Sequence, residues 1–276
     1  MSCVVRSVMS RIVILGVKEV SSLDRMLGLL SLFDDKRPVW TVEQAVESTN
    51  YSRSTVYRYF KSLCGIGLLD PISGGGYTLG PGIIALDRRV RMQDPLLSLA
   101  QPIAASLMRQ SGESALLYRT YGDQAICLHH EQAPHDRSEE SGRGVTSPIY
   151  LGASGKVMLS RTPTRRLRTL HRRNQKELAD AGLGRDWSEF RSRLLTIRRA
   201  GHVVSHGELR PGRVCVAVPV SDAQQRVVAS LSLCMPAERY REDRLSTYLG
   251  ALQSAADKIV GGLDRQMSGT GLSKSA

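Results

Sequence analysis

The side chains best placed to do chemistry fall in residues 50–63, Asn-Tyr-Ser-Arg-Ser-Thr-Val-Tyr-Arg-Tyr-Phe-Lys-Ser-Leu. Apolar Val56, Phe60 and Leu63, continuing to Ile66, recur at helical intervals and give this segment one buried face. The other face carries Ser52, Arg53, Ser54, Thr55, Tyr57, Arg58 and Lys61, and no Asp or Glu occurs between Ser48 and Leu69. Short hydroxyls and Arg at a helix start can reach base edges in a major groove, and cations behind them can hold phosphates. Arg53, Ser54, Thr55 and Tyr57 are the candidate base readers. Arg58 and Lys61 are the phosphate holders, and the helix start that Ser52 can cap attracts a further phosphate. Gly75, in the run Gly74-Gly75-Gly76, permits the backbone to pass close to DNA.

Specific elements must position those side chains. Leu23, Met26, Leu27, Leu30 and Phe33 predict a first amphipathic helix over residues 22–33. Thr41 with Gln44 forms a capping box for a second helix whose inner stripe is Val42, Ala45 and Val46. Residues 48–51 are the turn, and Gly65 and Gly67 end the third helix. Residues 68–79 then read as strand, glycine turn, strand, the wing of a winged helix-turn-helix.

The 276 residues suffice for two domains. The net charge of +12 suits a nucleic-acid binder, but residues 1–95 carry twelve Lys and Arg against nine Asp and Glu. Much of the excess lies in residues 141–176, with nine cations and no acid, including the run Arg161, Arg165, Arg166, Arg168, Arg172 and Arg173. That run reads as a solvated basic helix, against an extra DNA contact or a field drawing anions inward. The five cysteines (Cys3, Cys64, Cys127, Cys215, Cys234) form no C-x-x-C pair, so they read as reduced thiols of a cytoplasmic protein without a metal or other cofactor. The apolar run at residues 12–17 is too short to span a membrane. Residues 1–20 read as a flexible arm in which Met9 is a second possible start. Residues 268–276 read as a disordered Gly/Ser tail.

Residues 83–94 suit a linker helix, apolar at Ile83, Ile84, Leu86 and Val90 and basic at Arg88, Arg89 and Arg91. Another helix, opened by Pro95, should run to Met108, and the helical connection is a natural dimer contact. Beyond it the spacing predicts strands over 114–121, 125–129, 214–220 and 227–233. A polar loop is expected at 133–141, and helices at 151–160, 163–171, 187–200 and 236–265. This is an α+β domain over residues 95–267. Residues 152–156, Gly-Ala-Ser-Gly-Lys, fail the phosphate-loop pattern at Tyr150 and Val157. His129 and His130 are adjacent on a strand and face apart, which spoils chelation.

Taken in order, Ser54-Thr55-Val56-Tyr57-Arg58, Gly65-Ile66-Gly67, Tyr77-Thr78-Leu79-Gly80, Gly152-Ala153-Ser154-Gly155-Lys156, Ile197-Arg198-Arg199-Ala200-Gly201 and residues 212–219 and 227–232 resemble the IclR family of bacterial transcription regulators. The resemblance implies a winged helix-turn-helix at 21–82 joined by the linker helix to a GAF/PAS-like effector-binding domain. It also implies a dimer or tetramer, a double-stranded operator palindrome as partner, and a small organic acid or aromatic catabolite as effector. Carried over by position, its effector pocket falls on Ala153, Ser154, Ser205 in the loop after Gly201, Cys215, Ser232 and Cys234. Helix amides near Ala153 would seat an anion there, and Ser154 and Ser232 would donate hydrogen bonds. The chain departs from the family in having Ser205 for an acid, Glu208 alone of an acidic pair, and Cys234 for a frequent Ser. Repressor and activator both remain open. Two other classes stand beside this reading: a hydrolase using Ser154 or Cys215, which needs a positioned His base, and a protein-docking module that never touches DNA.

Overall fold

The computed structural model describes residues 21–136, 142–222, 224 and 226–269. The expected arm at 1–20 with Met9, Cys3, the end of the 133–141 loop, and residues 270–276 lie outside them. The chain divides into two compact units that meet in sequence between Gln93 and Asp94.

In the first unit, helix α1 (Ser22–Gly28) is held by a capping box between Ser21 and Asp24, then tightens into a 3₁₀ turn at Leu29–Leu32. The tightening corrects the expected single helix. Three residues per turn bring Leu29 and Leu32 inward, while Leu23 and Leu27 are left in solvent. Strand β1 (Trp40–Thr41) leads into α2 (Val42–Ser48), where Thr41 and Gln44 form the capping box that the spacing predicts. Helix α3 (Arg53–Gly65) buries Val56, Tyr59, Phe60 and Leu63. Ile66 does not continue this face, because it follows the helix end and is exposed.

Strands β2 (Leu69–Ile72) and β3 (Gly76–Leu79) form the wing, with β1 added on the other edge of β3. Gly74 and Gly75 make the turn at φ of 87° and 80°, a left-handed geometry that favours glycine. Helix α4 (Pro81–Gln93) follows and buries none of its residues within the unit.

The second unit begins with α5 (Pro95–Ser111), N-capped by Asp94 and C-capped by left-handed Gly112. It is built on one antiparallel sheet of six strands in the order β6-β5-β4-β9-β8-β7. These are β4 (Ser114–Tyr121), β5 (Gln124–Glu131), β6 (Thr146–Pro148), β7 (Val203–His206), β8 (Arg213–Ser221) and β9 (Val227–Pro236). Leu96, Ala100, Ala104 and Leu107 of α5 pack with Val214, Val216, Val218, Leu231, Leu233 and Met235 of the sheet and with Tyr248, Leu252 and Ile259 of the last helix, α10 (Leu245–Gly269). Helix α6 (Gly152–Leu159) lies on the other side of the strands, where Ala153, Val157 and Met158 meet Ala217 and Cys215. A satellite core around Phe190 joins α7 (Thr164–Arg173), α8 (Gln175–Asp180) and α9 (Trp187–Ala200).

Several expected boundaries move. Pro236 does not open the last helix: it ends β9, where a residue without an N–H costs no inner ladder bond, and α10 starts only at Leu245. The helix then runs into the stretch expected as a disordered tail, reaching Gly269. Ser205 is not in a loop but on β7, a four-residue edge strand paired only with β8. The loop after Ala133 is not wholly polar surface. Asp136 is buried there, accepting from Ser114 Oγ at 2.5 Å and from both terminal nitrogens of Arg213 at 3.0 and 2.5 Å. Next to it, buried Glu113 binds Arg239 at 2.7 Å and His135 at 3.2 Å. Paired buried charges of this kind fix the loop to the sheet.

Candidate functional site

Helix α3 presents the face expected of a DNA reader. Arg53, Ser54, Tyr57, Arg58 and Lys61 are exposed, and Thr55 is half-buried. Ser52 is the cap: its Oγ accepts from the Thr55 amide at 3.3 Å and lies 3.1 and 2.9 Å from the Ser54 and Thr55 hydroxyls. Its hydroxyl is thus committed to the helix start. Gly75 stands at the wing turn, where an added Cβ would meet nothing within 4 Å. The fold also supplies an acid that the sequence of α3 lacks: Glu43 of α2 binds Arg53 at 2.8 Å.

In the second unit a cavity of about 160 Å³ opens between the start of α6 and the sheet. Ala153, Ser154, Ser205, Cys215 and Cys234 all line it, so five of the six residues carried over by resemblance come together. Ser232 does not. It shares the strand face of Cys234 but lies two residues deeper, fully buried, and its Oγ donates to the Leu116 carbonyl at 3.4 Å. The other walls are Leu116, Tyr118, residues 145–147, Leu209, Arg210 and Arg213, with Glu208 at the mouth of the helix.

The helix start differs from an open anion seat. The Gly152 amide donates to Glu208 Oε2 at 3.0 Å, and the Ala153 amide donates to Ser205 Oγ at 3.1 Å. The same Glu208 oxygen binds Lys156 Nζ at 2.7 Å. The chain's own carboxylate therefore occupies the position that the helix dipole offers to an anion. Glycine is required at the second turn: a Cβ on Gly155 would stand 2.5 Å from the Ile149 carbonyl oxygen. The Gly-Ala-Ser-Gly-Lys run is in this way a close-packing and capping motif.

The expectation of reduced thiols fails at Cys215 and Cys234, which form a disulfide. The register of β8 on β9 places them directly opposite, with Cα atoms 4.2 Å apart. Cys64 and Cys127 are free, and burial pushes the Cys127 thiol up to about 12. Burial likewise raises the Tyr118 phenol, which stands opposite Cys127 in the register of β4 and β5. Tyr118 therefore stays a neutral donor at the cavity wall.

No cavity-lining residue is His, so neither Ser154 nor Cys215 has the base that a hydrolase needs. His129 is bound to Glu131 at 2.8 Å, and no set of three metal-ligating side chains converges among the described residues. In the basic run, Arg165, Arg166, Arg168, Arg172 and Arg173 are exposed on or beside α7. Some are structural nonetheless: Arg166 donates to the Gly122 carbonyl and Arg168 lies over the Trp187 ring at 5.3 Å. Among the described residues no helix is long and apolar enough to cross a membrane.

Tyr118, Arg210 and Arg213 are wall residues that sequence reasoning missed. Arg213 alternates with Cys215 on β8, so strand periodicity could have placed both on one face. Tyr118 and Arg210 carry no such signal, because their partners are distant in sequence.

Residues 90–260 match the model for the bacterial transcriptional regulator IclR C-terminal domain, and residues 22–71 match the IclR helix-turn-helix domain. The chain belongs to the IclR family. It is 26% identical over 237 residues to the HTH-type transcriptional regulator KipR of Bacillus subtilis, covering 85% of this chain and 94% of the relative. It is 26% identical over 252 residues to KdgR of Escherichia coli, covering 87% and 91%. The fold matches the IclR transcriptional regulator of Alicyclobacillus acidocaldarius with a TM-score of 0.75 at 24% identity, over 88% of this chain and 99% of that one. It also matches an IclR homologue of Microbacterium hydrocarbonoxydans complexed with 4-hydroxybenzoate, with a TM-score of 0.70 at 20% identity over 89% and 100%. Members of the IclR family are transcription regulators and not enzymes, which sets aside the hydrolase and the docking module.

Two predictions follow from this geometry. Glu43→Gln frees Arg53, and an exposed pair of this kind is worth at most about 1 kcal/mol, so DNA affinity should rise by roughly two- to fivefold. A titration of bound DNA checks this; lower affinity would show that Glu43 positions Arg53 instead of restraining it. The second concerns pH. An unfolded cysteine ionises near pH ~8.5, whereas folded Cys127 holds its proton to about 12. The stability from that burial is complete below the lower value and is lost as pH rises toward the upper one. The denaturation midpoint should fall from about pH 9 to about pH 11, and fall less in Cys127→Ala. Equal slopes in the two proteins would count against it.

Proposed function

We propose that this regulator is a homodimer or homotetramer that binds an operator palindrome through α3 and the wing, and that a small organic acid in the α6 cavity changes the affinity. The observation that carries the reading is the cavity itself. Its walls combine polar Arg210, Arg213, Tyr118 and Ser154 with apolar Leu116, Val145 and Leu209. An apolar site with a few convergent polar groups is the usual form of a ligand site. A comparable cavity of about 150 Å³ admits a single benzene ring. A monocyclic aromatic acid or a short-chain hydroxy acid fits that space, and a homologous structure carries 4-hydroxybenzoate. The ligand's carboxylate would compete with Glu208 for the Gly152 amide and Lys156. It controls DNA binding only by favouring one arrangement of the dimer over another.

On the DNA side, Arg53, Ser54, Thr55 and Tyr57 read bases, Arg58 and Lys61 hold phosphates, and Gly75 tracks the backbone. Helix α4 supports the oligomer: Ile84 is 74% and Met92 70% exposed on one side of the helix, and Leu86 and Val90 are exposed on the other. Solvent-facing apolar residues along one helix mark a surface awaiting a partner.

Footprinting of genomic DNA supplies the operator, and Arg58→Ala should then weaken every sequence alike and lower the salt slope by about one. A change of base preference would instead make Arg58 a reader. A thermal-shift panel of aromatic and short-chain acids, with 4-hydroxybenzoate as first probe, tests the input. A ligand at about 100 times its Kd adds roughly 2.7 kcal/mol of stability, and Arg210→Ala should abolish the gain. Absence of any gain across the panel would sink the acid reading. Ile84→Glu should shift the protein toward monomer in sedimentation, and an unchanged oligomer would move the interface elsewhere.

A further inference from the structure

The disulfide in the cavity wall has no part in reading DNA and was not foreseen by the family pattern. We propose that Cys215 and Cys234 are a reversible dithiol–disulfide couple, which makes the α6 cavity a redox-responsive input of this chain.

Three observations carry this. The first is position. Cys215 and Cys234 form the rung of β8 and β9 that faces the cavity, and both are half-buried, whereas Val214, Val216, Leu233 and Met235 around them are buried. The β-ladder keeps the two residues opposite each other whether or not their sulfurs are bonded, so closing the bond requires no folding step. The second is the surroundings. Arg210 and Arg213 line the same cavity, and although Arg213 is paired with Asp136, cations near a thiol favour the thiolate that reacts. Cys127 contrasts with them, since it is buried and its thiol is pushed up to about 12, which makes it inert. Cys64 is raised by burial too. The third is compartment chemistry. A DNA-binding regulator works beside DNA, in a space where thiols are kept reduced and a disulfide is usually transient and redox-sensing.

The oxidant required is a hydroperoxide. One thiolate attacks the peroxide oxygen, giving a sulfenic acid and an alcohol or water. The second thiol attacks that sulfur, expels water and closes the S–S bond, a two-electron oxidation. A dithiol reductant reverses it through a mixed disulfide. Two unbonded sulfurs cannot stay at bonding distance, so on reduction at least one turns aside, and the open direction is the cavity. The two states therefore present different walls to a ligand. The consequence rests on the cavity being the input site, but formation of the bond does not.

The test uses the full-length chain, reduced with dithiothreitol, desalted, and treated with hydrogen peroxide. Trapping with N-ethylmaleimide in denaturant, which exposes buried Cys127 as well, should count all five thiols before and three after, with a Cys215–Cys234 peptide in the digest and full recovery on adding dithiothreitol. Affinity for the footprinted operator should differ about tenfold between the two forms. Cys215→Ser and Cys234→Ala should each remove that difference, and a chain that folds poorly with one substitution is replaced by the other. Five trapped thiols after peroxide, a bond that native protein does not release to reductant, or equal operator affinity in the two forms each overturns the proposal. If the bond cycles as expected but no acid binds in either form, it is the acid reading that fails.

Discussion

Helix α6 begins without a cap of its own, and the structure of the second unit depends on how that deficit is met. Its first amides are bonded from across the cavity, by Glu208 and by Ser205, while Lys156 reaches back to the same carboxylate. An unpaired amide buried at a helix start costs on the order of 1–3 kcal/mol, so these contacts hold α6 against the turn after β7. The cavity is the space left between the clamped helix and the strands. Anything that competed for Glu208 would loosen the element that shapes the cavity.

The first unit was largely legible in the sequence because its determinants are local. The Thr41–Gln44 box, the Ser52 cap, the apolar spacing of Val56, Phe60 and Leu63, and the glycine turn each depend on residues a few positions apart. What misled there was a change of helix type at Leu29, which shifts the inward face without any change in the apolar pattern. The second unit was less legible. Strands β8 and β9 announce themselves by their valines, and β4 by its apolar and aromatic run Ala115-Leu116-Leu117-Tyr118. Short edge strands such as β7 take their identity from a neighbour ten residues on. The disulfide was hidden for the same reason: nineteen residues separate the cysteines, and only the register of β8 on β9 makes them opposite.

The candidate sites show the same division. Five of the residues named by resemblance line one cavity, since family position encodes three-dimensional position. It could not show that Ser232 spends its hydroxyl on Leu116 and is sealed from the cavity. Nor could it show that the charge near α3 is moderated by Glu43 from the preceding helix. Both depend on side-chain partners that no spacing rule specifies.

The pleat of β8 and β9 separates two kinds of residue. Val214, Val216, Val218, Leu231, Leu233 and Met235 point toward α5 and α10, and Cys215, Ala217, Ser232 and Cys234 point the other way. Substitutions on one side alter the main core, and substitutions on the other alter the cavity or its immediate backing. The pleat thus lets the lining of the cavity change at a few strand positions without touching the residues that hold α5 and α10 to the sheet.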